Sequence, residues 1–108
     1  MPIYNSGEST KIEQGNLSHR VVYRCDGLSV FSFQVDQLDA DWSSGCVMTV
    51  RFGNTPDSLY DSGTAVTLSA FGITPAIDVT GRAFVCLEVT TAGSSAAFQK
   101  VTGYGERF

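Results

Sequence analysis

From residue 19 onward the chain alternates apolar and polar positions with a period of two, the pattern of strands with one buried face. Over residues 20–25, Val21, Tyr23 and Cys25 share a side. Over 28–35, Phe31, Phe33 and Val35 do so, with Ser32 and Gln34 opposite. Residues 45–52 set Cys46, Met48, Val50 and Phe52 against Thr49 and Arg51, and residues 64–71 set Ala65, Thr67, Ser69 and Phe71 against Val66, Leu68 and Ala70. A short strand is expected at 76–80, a longer one at 82–90 carrying Ala83, Val85, Leu87 and Val89 on one face, and a last one at 96–102. Turn formers separate them: Asp26-Gly27, a strong hairpin signal, then Gly53-Asn54-Thr55-Pro56-Asp57, Gly81 and the small residues 91–95. No window carries a 3.6-residue period. Seven or eight such strands predict an all-β fold, a two-sheet antiparallel β-sandwich that is immunoglobulin-like or jelly-roll-like.

Residues 1–18 break the pattern. Their apolar members, among them Ile3, Tyr4, Ile12 and Leu17, follow neither period, and the rest are mostly Asn, Ser, Gly, Glu, Thr and Gln. A segment this polar cannot bury enough surface to order itself. The expected organisation is therefore an extended N-terminal arm over residues 1–18 and a sandwich domain over 19–108. Ile3, Tyr4, Ile12 and Leu17 are the candidate partner-binding residues, each spaced to enter a separate groove of a neighbour.

Charge and composition narrow the function. The chain has 108 residues, seven Lys and Arg against eleven Asp and Glu, and a net charge of −4. That size is one domain, and an acidic surface lacks the basic face that nucleic-acid binding needs. No apolar run is long enough to span a membrane, and no secretory signal is expected at the start of the sequence. The three cysteines, Cys25, Cys46 and Cys86, have no CxxC spacing and read as buried thiols. His19 is the sole histidine and has no nucleophile or carboxylate placed to make a catalytic set, so no catalytic residue, cofactor or metal is expected. Asp36, Asp39 and Asp41 are the one cluster that could approach a cation, without the spacing of a calcium loop. Trp42, Tyr60 and Tyr104 are candidates for stacking on a sugar, which keeps open a carbohydrate-binding or tail-adsorption module.

Residues 63–73, Gly-Thr-Ala-Val-Thr-Leu-Ser-Ala-Phe-Gly-Ile, and residues 76–91, which carry Ile77-Asp78-Val79-Thr80-Gly81 into an apolar strand ending Val89-Thr90-Thr91, resemble small β-sandwich structural proteins of tailed bacteriophages. Among these they look most like capsid decoration (cement) proteins. The resemblance covers residues 63–103 and consists of strand and turn patterns. It implies a non-enzymatic virion protein made in the host bacterial cytoplasm, placed on the capsid surface and bound to the major capsid protein or other virion proteins. It also implies a homo-oligomer, with a trimer favoured.

Overall fold

In a computed structural model, which describes residues 3–5 (backbone), 10–61 and 65–108, the alternation becomes two antiparallel sheets. The strands are β1 (Ile3–Asn5), β2 (Thr10–Glu13), β3 (Arg20–Arg24), β4 (Val30–Gln37), β5 (Val47–Thr55), β6 (Ser58–Asp61), β7 (Thr67–Leu68), β8 (Gly72–Ile73), β9 (Ile77–Asp78), β10 (Phe84–Thr91) and β11 (Phe98–Arg107). One sheet has the order β1-β11-β4-β8, with β2 also on β11 and β9 also on β4. The other has the order β3-β10-β5-β6, with β7 also on β5.

Several of these pieces share a lane. β2 faces residues 98–101 of β11 and β1 faces residues 105–107, so the two run along one edge. β8 and β9 likewise share β4, and β6 and β7 share β5. Each sheet thus has four lanes. The chain crosses from the first sheet to the second and back until β5, stays in the second through β6 and β7, then crosses to β8 and β9, to β10 and to β11. That connectivity is a jelly roll, which decides between the two topologies the alternation allowed.

The core lies between the inner faces. Phe31, Phe33 and Val35 of β4 meet Met48 and Val50 of β5 and Val85, Leu87 and Val89 of β10, all essentially without solvent contact. Full burial of side chains this size stabilises by roughly 1.5–3 kcal/mol each before entropy is counted. Tyr23, Phe31 and Phe33 form a ring trio with centroids 5.1 to 5.7 Å apart. β11 passes this trio with Gly103, where an added Cβ would sit 2.8 Å from Phe31 Cζ. Gly103→Ala is accordingly expected to cost about 1–3 kcal/mol through overpacking, read as a lower urea midpoint. An unchanged midpoint would show that the ring moves aside freely.

The structure differs from the sequence reading in several places. One is the strand expected over 64–71, of which, among the described residues, only Thr67–Leu68 is strand before the chain bends and crosses to β8 in the other sheet. Residues 10–18 do not stand off as an arm: β2 is a strand of the first sheet, and Ile12 is wholly buried in the core. The polarity that suggested an arm arises because β2 turns Lys11 and Glu13 outward, while its inward neighbour of Ile12 is Gln14, a buried amide. Asp26-Gly27 forms a turn, with Leu28 N donating to Cys25 O at 3.0 Å and Gly27 at φ +83°, but it joins the two sheets instead of closing a hairpin. β3 pairs with β10 and β4 with β11. Lastly, β11 runs past Thr102 to Arg107, because Gly103 and Gly105 fill inward positions where no apolar side chain marks the strand.

Candidate functional site

The candidate partner residues are dispersed. Leu17 is 59% exposed in the turn after β2, whereas Ile12 is inside the domain and offers nothing to a partner in this fold. Ile3 and Tyr4 lie in β1, opposite Arg107 and Glu106, and their side chains are outside the described part.

The three aromatic residues considered for sugar stacking do not converge. Trp42 packs edge-on against Phe71 at 5.4 Å and donates from Nε1 to Cys46 O at 3.2 Å, so it pins the loop between β4 and β5. Tyr104 lies on the first sheet and donates to Glu106 at 3.0 Å. Tyr60 lies on β6, at an edge of the second sheet, and is 69% exposed. Asp36 accepts from Gln34, and no group of acidic, histidine or cysteine side chains suited to a metal occurs among the described residues. His19 Nδ1 accepts from Glu13 N at 2.8 Å, clasping the turn between β2 and β3.

All three cysteines are free and buried. Burial, with Asp26 adding to it, pushes the Cys25 thiol up to about 11, and burial first of several causes does the same for Cys86. Burial raises Cys46 as well, against hydrogen bonds from Gln14 and Gly93 that oppose the rise. A thiol raised in the folded state from an ordinary 9.0 favours folding below that pH, and the contribution is lost as pH climbs toward about 11. Thermal melts should therefore fall between about pH 9 and 11, and Cys25→Ala/Cys86→Ala should flatten that fall. A colorimetric thiol reagent should find three reactive thiols only after denaturation. Ready reaction in the native state would contradict the burial.

A charged cluster that alternation could not reveal sits on the outer face of the second sheet. Glu88 on β10 is 4% exposed, yet it lies on the side away from the core. Arg20 of β3 reaches one carboxylate oxygen at 2.7 Å and Arg51 of β5 reaches the other at 3.1 Å. Arg51 also meets Asp61 of β6 at 3.0 Å, so the cluster ties four strands together. In sequence Glu88 is simply an outward residue of a strand. Only the register, which sets Arg20 opposite Glu88 and Arg51 opposite Asp61, exposes the pairing.

A concave surface lies where the second sheet's β6 edge approaches the first sheet's β9 edge. Two adjoining cavities of about 480 and 410 Å³ share Phe52 and Arg82 in their walls. The Arg82 guanidinium lies over the Phe52 ring, 5.2 Å from its centroid, and makes no ion pair among the described residues. Tyr60, Asn54 and Asp61 line one side, and Asp78 lines the other. Asp78 accepts from Thr80 N at 2.9 Å, and this bond, with the Thr80 side chain next and Arg82 helping, holds its carboxyl below the usual carboxylate range. Sequence reasoning found Tyr60 here and missed Arg82, Asn54 and Asp78, which belong to three separate turns and strands.

The jelly-roll lane order is the feature that known structures can be set against. The chain shares its fold with phage proteins. The SPBc2 prophage-derived protein YomS superposes with a TM-score of 0.64 at 9% identity, over 98% of this chain and 95% of that one. A chain of the cyanophage Pam1 capsid asymmetric unit superposes with a TM-score of 0.57 at 15% identity, over 97% of this chain and 82% of that one. At these identities the likeness is one of fold. No protein-family model matches the sequence, and no curated protein matches it.

Proposed function

We propose that this chain is a non-enzymatic structural protein of a phage particle, most specifically a capsid decoration (cement) protein on the outer surface of the head. The observation that supports it is the likeness, over 97% of this chain and 82% of the other, to a chain of a phage capsid asymmetric unit. The parts fit the role. A jelly roll with a continuous core is a rigid block, and weak contacts suffice where many copies share one lattice. Its partner is the major capsid protein, and the working unit is a homo-oligomer, with a trimer favoured. Leu17 is an exposed apolar residue suited to such a contact, and Ile3 and Tyr4 stand in the segment that would accompany it.

Quantitative mass spectrometry of purified particles tests this. A copy number comparable with that of the major capsid protein is expected, and Leu17→Asp should lower occupancy without changing the melting temperature of the free protein. A handful of copies per particle would place the chain in a tail, and its absence from particles would end the virion reading.

A further inference from the structure

We infer that the groove shared by Phe52 and Arg82 is a saccharide-binding site. This inference stands apart from the virion reading, since it rests on the groove's chemistry alone. A pyranose ring offers an apolar C–H face and a rim of hydroxyls that both donate and accept. A protein matches it with an exposed aromatic ring flanked by planar groups of both polarities. Tyr60 supplies the ring, amphipathic and 69% exposed at the β6 edge. Asn54 supplies an amide, Asp78 an acceptor and Arg82 a forked donor on the same two adjoining cavities, while Asp61 lines the rim with its carboxylate engaged by Arg51.

Each polar group is held before any ligand arrives. Asp61 is anchored by Arg51 at 3.0 Å, Asp78 by Thr80 N at 2.9 Å, and Arg82 by the Phe52 ring beneath it. Such pre-ordering lowers the entropy lost on binding. The charge pattern also selects against other small ligands. A phosphate drawn to Arg82 would also meet the Asp78 carboxylate, and like charges repel. A purely apolar ligand would leave the amide and carboxylates without partners. Two cavities meeting at Arg82 suit several linked rings better than a single one.

The test is a titration of the 15N-labelled full chain, followed by amide chemical shifts. The probes are the neutral hexasaccharides of xylose, glucose (α- and β-linked) and mannose, with inorganic phosphate as a separate arm. At least one hexasaccharide should move the amides of Asn54, Tyr60, Asp61, Asp78 and Arg82 and leave those of Tyr104 and Lys100 on the first sheet in place. Tyr60→Ala and Arg82→Gln should each weaken that binding by about tenfold or more, equivalent to the loss of one good contact. Tyr60 is exposed, so its variant should keep the wild-type spectrum elsewhere. Silence from all four hexasaccharides at millimolar concentration, shifts that survive in Tyr60→Ala, or a response to phosphate alone would each overturn the assignment. Absence from virions would leave it intact.

Discussion

Deletion of residues 1–15 is expected to unfold the domain. The deletion removes β1 and β2, which together form an edge lane of the first sheet. It strips Ile12, wholly buried, from the core, and leaves β11 an unprotected edge along residues 98–101 and 105–107. Ile12→Ala alone should cost about 2–5 kcal/mol, a large share of the roughly 5–15 kcal/mol that holds a domain folded. The single variant should thus melt about 10 °C or more below wild type, since each kcal/mol shifts a domain of this size by about 4–8 °C. The truncated chain should lack a cooperative transition. If it melts like the full protein, the N-terminal strand is not part of the fold, and the case for an independent arm returns.

The second large effect is expected at Gln99. Its side chain is fully buried at the loop end of β11, where the sheets run out and loops must be tied down. Oε1 accepts from Leu38 N at 3.0 Å, while Nε2 lies 3.0 Å from each of Gln14 Oε1, Ala40 O and Asp41 O. Gln14 Oε1 in turn accepts from Ser43 N at 3.0 Å. One amide pair therefore fixes the loop between β4 and β5 to the strand that begins and the strand that ends the sheet. Gln99→Leu keeps the volume and removes every one of Gln99's side-chain hydrogen bonds. Unsatisfied buried groups cost about 1–3 kcal/mol each, so the loss should reach about 3 kcal/mol or more by urea denaturation. Lys100→Leu, exposed one position along, should change stability by less than about 0.5 kcal/mol. Similar losses for the two variants would mean that water reaches the freed groups.

The fold was legible wherever the inward residues are apolar. Phe31, Phe33 and Val35, or Val85, Leu87 and Val89, announce a strand and its buried face together, because burial at period two is what the alternation records. It was illegible where inward positions are filled by something else. Gln14 and Gln99 are interior amides, and Gly103 and Gly105 are inward gaps that a ring or a leucine fills. The N-terminal lane and the second half of β11 vanish from the pattern for that reason. Lane order was out of reach as well, since alternation states which face is buried and never which strand lies alongside. The candidate groove suffered from both limits. Its side chains come from β5, β6, β9 and the turn before β10, and only the crossing of the chain between sheets brings them together.

The pairing of β1 and β2 with β11 also dictates the order in which the domain can be made. The first strands of this domain to be made, β1 and β2, have as their neighbour its last, β11, and β4 needs that same strand on its flank. The first sheet therefore cannot close before β11 has emerged, and Phe31 and Phe33 wait on a half-built sheet until that strand arrives. Contacts so distant in sequence must also overcome a long loop closure, which places folding in the millisecond-to-second range of all-β domains. A nascent chain arrested before β11 should remain sensitive to protease throughout, and protection should appear in one step once that strand has emerged.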